Sequence, residues 1–314
     1  APLDPVARFH LGNGARLHRM HGGADLSVFG FGRPTKELKR DSGTVARLDA
    51  TSPPADTAMS AIWSRADALV PWESSARLPG AEQIAFAKRF GPLEFEMAAL
   101  SNVKADGSLR LEADNDDMMK ILKGNMGWHC DSTYMPVQAK GAVFSAEVVP
   151  SIGGQTGFAD MRAAYDALDG ALKAKVEKLA AHHSLHYSQS KLGHQTRNKD
   201  GQYSGYGLHD GPVPLRQLVK VHPETGRKSL LIGRHAHDIP GMDRADSERL
   251  LQELVDFACQ PPRLYHHDWR AGDAVLWDNR CLMHQATPWD MTQPRVMWHS
   301  RIAGDPASES AIAA

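Results

Sequence analysis

The chain has 314 residues, of which 42% are hydrophobic and 23% charged, as in an ordinary globular protein long enough to bury one large core. Lysine and arginine number 36 against 37 aspartate and glutamate residues, and this balance argues against binding to nucleic acid or to an anionic membrane. Three cysteines are too few for a disulfide framework or a cysteine-rich zinc site, which favours a reducing compartment. Because we find neither a signal-peptide pattern nor an apolar span, we expect a cytoplasmic protein, and homo-oligomer formation stays open.

The chain divides by composition near Leu78. Residues 1–78 are difficult to interpret, since much of this segment is rich in Ala, Arg, Ser and Pro without a sustained period of 2 or 3.6, and we assign it no function. The abrupt change suggests a divergent or locally mis-translated segment. The sequence predicts one domain at 79–306 and a disordered tail at 307–314.

The predicted elements are mostly strands. Helices are expected at 81–90, 161–181 and 247–259 from apolar residues at helical spacing. Strands are expected at 93–103, 141–149, 217–221, 229–232, 263–267, 274–277, 279–284 and 295–302, with a long irregular segment at 182–214. Many strands without an alternating βα repeat predict a mainly β fold with flanking helices, which we assign as a double-stranded β-helix (jelly roll, cupin-like).

A short pattern of metal-binding type stands at His129-x-Asp131. In an extended chain these two side chains point to the same side and could reach one ion. The pattern is weak by itself, because His266-His267-Asp268 repeats it. His284 can complete a site with the first copy, whereas it lies too close in sequence to the second for more than one hairpin. Two histidines and one carboxylate leave three octahedral positions open, which suits non-haem Fe(II).

Arg295 follows His284 after a proline-containing turn, and a guanidinium beside an iron site can hold a dicarboxylate. With this residue, residues 80–304 resemble the TauD/TfdA (taurine/2,4-D dioxygenase) family of Fe(II)/2-oxoglutarate oxygenases. Several motifs carry the resemblance: Trp128-His129-x-Asp131-Ser-Thr, Gly153-Gly154-x-Thr156, Trp269, Trp277-Asp278-Asn279, His284 and Arg295-Val-Met. Further motifs, among them Gly233-Arg-His235, are most similar to the (S)-phenoxypropionate (aryloxyalkanoate) dioxygenases.

The resemblance implies a role for each motif residue. The ligands of Fe(II) would be His129, Asp131 and His284. The residues at 2-oxoglutarate would be Arg295, Thr156, Trp269 and Ser132. The residues at a small carboxylate substrate would be Asn125, His299 and Arg301, the last two standing near a position where relatives often carry arginine. With O2, such an enzyme would hydroxylate an aryloxyalkanoate, and the ether would then cleave to a phenol and a keto acid as 2-oxoglutarate yields succinate and CO2.

Other functions stay open at this point. Within the family, the alternative substrate is taurine or another alkylsulfonate, or an alkylsulfate. Outside it, two histidines and a carboxylate also suit a zinc hydrolase, although no general base stands at motif spacing. A jelly roll can also be a binding module without catalysis, because a fold does not determine a function.

Overall fold

The computed structural model describes residues 80–111, 116–193 and 212–312, and the backbone of three strands before them. The expectations for the rest of residues 1–78 lie outside the described residues. The helices are α1 (Gly80–Ala87), α2 (Asp117–Gly124), α3 (Met161–Ala167), α4 (Gly170–Val176), α5 (Leu185–Ser190), α6 (Arg244–Ala258) and α7 (Pro306–Glu309). No helix among the described residues is long and apolar enough to cross a membrane.

Strands dominate the structure, as the sequence predicts. The first part contributes β1 (Arg16–Met20), β2 (Thr57–Trp63), β3 (Leu69–Ser74), β4 (Leu93–Ser101), β5 (Gly141–Val148), β6 (Thr156–Asp160) and β7 (Ala180–His183). The second part contributes β8 (Leu215–Gln217), β9 (Val219–Val221), β10 (Lys228–Leu230), β11 (Ala236–His237), β12 (Leu264–His267), β13 (Ala274–Asp278), β14 (Leu282–Ala286) and β15 (Val296–Ile302).

Two antiparallel sheets form the body of the domain. The larger is seven-stranded in the order β1-β2-β3-β13-β5-β15-β4, and the smaller is three-stranded in the order β12-β6-β14. A buried apolar cluster contains residues of both sheets, including Phe144, Phe158, Trp277, Leu282 and Met297. The sheets therefore pack face to face, and the expected jelly roll is confirmed.

Alternation along the smaller sheet decides which side chains enter this interior. On β6, Phe158 joins the cluster between the sheets, whereas Ala159 packs into a second cluster with α3 and α6. On β14, Leu282 points inward and Met283 outward in the same way. Because strand side chains have a period of two, His284 shares the inward face of Leu282.

The predicted helix at 161–181 is broken in the structure. Leu168 is extended (φ −62°, ψ 147°), and the Asp169 side chain accepts a hydrogen bond from the Leu172 N–H to start α4. Aspartate is a strong N-cap residue, so it begins a new helix where periodicity predicted a continuous one. The last two residues of the predicted helix, 180 and 181, instead belong to the strand β7.

The C-terminal segment also differs from its expected disorder. Asp305 caps α7, and Glu309 is only 1% exposed. Ser310 and Ile312 then form β-bridges with Val137 and Leu215. These backbone contacts order the segment through residue 312, although its composition is that of a solvated tail.

Candidate active site

Two histidines from distant parts of the chain meet as a backbone pair. The N–H of His129 donates to the carbonyl of His284 at 3.0 Å, and the N–H of His284 donates to the carbonyl of His129 at 2.8 Å. The ring centroids lie 4.3 Å apart, and both residues are buried. This isolated antiparallel bridge sets the spacing of the two imidazoles before any ion is bound.

Asp131 is placed by its backbone. Its N–H donates to Oδ1 of Asn279 at 2.8 Å, and its carbonyl accepts from Nδ2 of Asn279 at 2.9 Å. The chain then turns at Ser132, which has a left-handed φ of 55°. The motif Trp277-Asp278-Asn279 therefore contributes Asn279 as the residue that fixes the carboxylate-bearing turn.

The two oxygens of the Asp131 carboxylate have different surroundings. Oδ1 accepts a hydrogen bond from Nη2 of Arg301 at 2.9 Å. Oδ2 has no hydrogen-bond partner among the described residues and lies 3.8 Å from Nε2 of His284. Burial by itself would raise the pKa of Asp131, but Arg301 and the neighbouring histidines outweigh burial and hold that pKa well below its usual range. The carboxylate is thus ionised with one oxygen available.

Both histidines are suited to ligation. Burial lowers the pKa of His129 well below its usual value, and His284 and Arg234 lower it further. Burial likewise lowers the pKa of His284. Nδ1 of His129 lies 2.7 Å from the carbonyl oxygen of Gly127, so it carries the proton and leaves the Nε2 lone pair available. Neutral imidazoles of this kind are common metal ligands.

The donor set fits a metal ion. One ligand atom from each of His129, Asp131 and His284 lies within 4.8 Å of the others. A second buried group of donors, His222, Asp278 and Cys281, is also close, but the Asp278 carboxylate accepts from Arg280 and lies 3.0 Å from Nε2 of His222. Its oxygens are therefore already satisfied, unlike Oδ2 of Asp131. The rival sequence copy forms no such group within the described residues.

Arg295 is a buried cation with no anionic partner among the residues that the structure describes. Its side chain is 2% exposed, and Nη2 donates to the carbonyl of Gly154 at 3.1 Å. No carboxylate of the described residues pairs with it, and its Nε has no partner there. Burial lowers the pKa of Arg295 to about 10, and the guanidinium lies 5.0 Å over the Trp289 ring. An unpaired buried charge is costly, so this position favours an anionic ligand.

Two glycines allow the backbone to approach Arg295. Gly153 and Gly154 have left-handed φ values of 77° and 68°. A Cβ at Gly153 would lie 2.4 Å from the carbonyl oxygen of Pro288, and one at Gly154 would lie 3.2 Å from Nε of Arg295. Side chains at either position would displace the loop or the guanidinium, which explains the glycine pair of the motif.

Thr156 is oriented by a tryptophan. The indole N–H of Trp269 donates to Oγ1 of Thr156 at 2.9 Å, and Thr156 is buried at the start of β6. Because the threonine oxygen accepts this bond, its own proton is directed to another acceptor. Trp269 therefore orients the Thr156 hydroxyl, and its expected place in the cosubstrate pocket stays a prediction.

Ser132 and Arg301 contact each other and the metal-binding carboxylate. The Ser132 hydroxyl lies 2.9 Å from both carboxylate oxygens of Glu94 and accepts from Nη1 of Arg301 at 3.1 Å. Nη2 of Arg301 is the donor to Asp131. Ser132 and Arg301 thus contact groups of the protein, and their expected roles at 2-oxoglutarate and at the substrate stay predictions.

His299 lies against the same carboxylate. Its Nε2 is 3.6 Å from Oδ2 of Asp131, and its ring contacts Phe95, Phe144 and Trp277. Burial, and then Arg301, lowers the pKa of His299 to about 3. His299 is therefore neutral, and it lies among aromatic side chains beside the Asp131 carboxylate.

Asn125 and Arg234 make backbone hydrogen bonds to residues close in sequence to His284 and His129. Asn125 follows α2, and its carbonyl accepts from the N–H of Ala286 at 2.8 Å. The N–H of Arg234 donates to the carbonyl of Trp128 at 2.9 Å, and Nε and Nη1 of Arg234 are buried without a partner among the described residues. Burial lowers the pKa of Arg234 to about 10 and outweighs the opposite effect of the nearby Tyr134. Sequence reasoning did not single out this second unpaired guanidinium.

The space for Arg234 comes from glycines. A Cβ at Gly124 would lie 2.5 Å from Nη1 of Arg234, and one at Gly127 would lie 3.2 Å from its Cδ. The motif Gly124-Asn-Met-Gly127 therefore accommodates the arginine. In the sequence, the signal for Arg234 is the pattern Gly233-Arg-His235, which carries part of the family resemblance but no assigned role.

The comparisons with known proteins agree with this site. A model described as "Taurine catabolism dioxygenase TauD, TfdA family" matches residues 76–301. The chain belongs to this family. It is 84% identical over 232 residues to an (S)-phenoxypropionate/alpha-ketoglutarate-dioxygenase of Sphingobium herbicidovorans, covering 74% of this chain and 81% of that protein. A protein of the same description from Delftia acidovorans is 64% identical over 73% of this chain and 80% of its own length.

A solved structure extends the likeness to the fold. The crystal structure of AAD-2 in complex with Mn(II) and N-oxalylglycine is 36% identical, with a TM-score of 0.69 over 78% of this chain and 86% of that chain. Members of the TauD/TfdA family are alpha-ketoglutarate-dependent dioxygenases, so this chain is an oxidoreductase and the expected family is confirmed. A model of the malonyl-CoA decarboxylase C-terminal domain matches residues 1–35. The change of composition near Leu78 thus falls at the start of the stretch that matches the TauD/TfdA family, and residues 1–35 match a different family.

Proposed function

We propose that this chain is an Fe(II)- and 2-oxoglutarate-dependent dioxygenase that hydroxylates an aryloxyalkanoate of the phenoxypropionate or phenoxyacetate type. Hydroxylation of the carbon beside the ether oxygen gives a hemiketal or hemiacetal, which collapses to a phenol and an oxo acid. The dioxygen supplies one atom to that carbon and one to succinate, and CO2 is released. The proposal depends above all on two observations: the group of two histidines and one carboxylate, and the buried Arg295, which pairs with no carboxylate of the described residues.

The metal ligands in this proposal are His129, Asp131 and His284. Oδ2 of Asp131 is buried without a hydrogen-bond partner in the described part of the chain, and a divalent cation would satisfy it. Bound by these residues, Fe(II) would supply the activation of dioxygen. The protein holds the two imidazoles neutral and the carboxylate ionised, so that binding needs no further proton release from these groups.

The cosubstrate site in this proposal is formed by Arg295 and Thr156. The guanidinium would pair with the distal carboxylate of 2-oxoglutarate, and the Thr156 hydroxyl would donate to the same group, since Trp269 occupies its acceptor side. The neutral His284 and the aromatic residues around it, including Trp277 at 4.8 Å, would exclude water from the inner end of the cosubstrate.

For the substrate acid, the proposed anchor is Arg234. Its Nε and Nη1 are buried without partners among the described residues, and its guanidinium is close enough to His129 to lower the pKa of that imidazole. Asn125 and the neutral His299 would line the remaining wall. The two phenoxypropionate dioxygenases that match most of the chain support a substrate that combines an aryl ether with a carboxylate.

A substrate panel tests this proposal. Purified enzyme with Fe(II), 2-oxoglutarate and O2 would receive each enantiomer of 2-phenoxypropionate, phenoxyacetate, taurine and an alkyl sulfate, and succinate and phenol would be measured. We expect substrate-dependent succinate with matching phenol from at least one phenoxy acid. Succinate formed only with taurine or the alkyl sulfate would assign the enzyme to the alkylsulfonate or alkylsulfate dioxygenases. Substrate cleavage without 2-oxoglutarate would favour a hydrolase.

A further inference from the structure

We propose that Arg301 is a positioning residue for the metal-binding carboxylate, and that Ser132 and Glu94 hold Arg301 in place. In this assignment Arg301 directs one oxygen of Asp131 to the metal and keeps the other away from it. The inference depends on the proposed function, because it requires a divalent metal at His129, Asp131 and His284.

The contacts form a continuous chain inward from Glu94. The Ser132 hydroxyl lies 2.9 Å from each Glu94 carboxylate oxygen, Nη1 of Arg301 donates to Ser132 at 3.1 Å, and Nη2 donates to Oδ1 of Asp131 at 2.9 Å. Arg301 and Asp131 are buried at 6% and 5% exposure, and Ser132 is fully buried. Because Nη2 of Arg301 donates to Oδ1 while Oδ2 has no partner among the described residues, Oδ2 is the oxygen that would bind a metal, and Asp131 would be a monodentate ligand.

Strand alternation directs Arg301 to this position. On β15 the inward-facing Met297 is followed at intervals of two by His299 and Arg301, and the pairing with β5 stays in regular register from Met297 to Ile302. The register shifts in the pairing with β4, on both sides of Arg301, come from extra residues on β4. The guanidinium of Arg301 lies 4.9 Å over the Phe95 ring, and its Nη2 donates to Asp131.

The backbone of Asp131 does not depend on Arg301. Asn279 holds the N–H and carbonyl of Asp131 with two hydrogen bonds of its own. Loss of Arg301 would therefore release the rotation of the carboxylate while the turn stays in place. His284 and His299, at 3.8 and 3.6 Å from Oδ2, and Tyr134, which contacts Arg301, are further polar groups around this carboxylate.

Mn(II) binding to the metal-free enzyme tests the inference without relying on turnover. Isothermal titration would compare the wild type with Arg301→Met, Arg301→Lys and Ser132→Ala, and the KM for the best phenoxy acid would be measured at saturating Fe(II). We expect the Kd for Mn(II) to rise about 10- to 100-fold in Arg301→Met, as is usual when a partner of a metal ligand is removed. Arg301→Lys should recover most of this loss, and Ser132→Ala should show a smaller rise.

Arg162→Met is the matched control, because Arg162 is an equally buried arginine that pairs with Asp160 at 3.0 Å, and neither residue contributes to the metal site. A structural role for Arg301 would lower the melting temperature in both variants and leave both Kd values unchanged. An unchanged Kd with a raised KM for the phenoxy acid in Arg301→Met would overturn the inference in favour of a substrate anchor. If the wild type binds no Mn(II), the proposed function itself fails.

Discussion

The carbonyl oxygen of Gly154 accepts a hydrogen bond from the Arg295 guanidinium at 3.1 Å, at a backbone position that has no room for a side chain. A Cβ there would lie 2.9 Å from Cγ of Pro150 and 3.2 Å from Nε of Arg295. The glycine therefore sets the distance between the loop and the cation proposed to bind 2-oxoglutarate.

Gly154→Ala should raise the KM for 2-oxoglutarate about 10-fold, because the new methyl group displaces the guanidinium and geometry of this kind is sensitive to small shifts. Gly226→Ala is the matched control. Gly226 has a similar φ of 70°, but a Cβ added there would meet no atom within 4 Å, so only the backbone strain of roughly 1–2 kcal/mol is shared. Equal KM values in the two variants would contradict the assigned role of Gly154.

Arg295→Met should separate stability from cosubstrate binding. Removing a buried cation that lacks a carboxylate partner in the described residues should stabilise the ligand-free protein by at least about 1 kcal/mol, while the KM for 2-oxoglutarate rises at least about 30-fold. Urea unfolding with and without 2-oxoglutarate, together with steady-state kinetics, measures both effects. If the variant is less stable without ligand, Arg295 has a structural partner and the proposed anion site is incorrect.

The sequence predicted much of this site because its signals were local. The spacing of His129 and Asp131, the following glycine pair and the position of Arg295 all refer to residues that the structure brings together. Contacts set by distant packing were not predictable. The contacts that run from Glu94 through Ser132 and Arg301 to Asp131 join residues from distant parts of the chain, and the one-dimensional pattern does not contain them.

The same reason explains the remaining differences. The position of Arg234 depends on contacts with Trp128 and Gly127, more than a hundred residues away in sequence, and a one-dimensional pattern does not contain these contacts. In the helix expected at 161–181, a capping aspartate at 169 prevailed over apolar periodicity. Where the sequence pattern allowed more than one interpretation, helix capping and tertiary contacts determined the structure.

Arg234→Met should weaken substrate binding selectively. The KM for a phenoxy acid should rise about 10-fold or more, since a charge-assisted bond to the carboxylate is lost, whereas the KM for 2-oxoglutarate should change less than about twofold. Steady-state kinetics with each substrate varied in turn measures both values. A rise confined to 2-oxoglutarate would place Arg234 at the other pocket.

The stability of the protein should fall in mild acid, in part because of His183. This residue of β7 is 1% exposed, and burial, followed by Arg216, lowers its pKa well below 6.5. Below pH 6.5 the unfolded chain therefore binds a proton that the folded chain does not, and the free energy of unfolding decreases as the pH falls.

His183→Leu removes this contribution. Urea unfolding at pH 7.0 and pH 5.0 should show a smaller loss of stability in the variant, by about 1–2 kcal/mol, than in the wild type. An identical loss in both proteins would mean that His183 is protonated in the folded state or does not titrate in either state over this range.

Coupled product formation by the wild-type enzyme tests the central claim most directly. With Fe(II), O2 and a phenoxypropionate that is consumed, phenol and succinate should form in a 1:1 ratio, and omission of 2-oxoglutarate or Fe(II) should abolish both. His129→Ala should do the same, while His266→Ala, which changes the exposed rival motif, should not. Phenol released without 2-oxoglutarate, or retained activity in His129→Ala, would contradict the account.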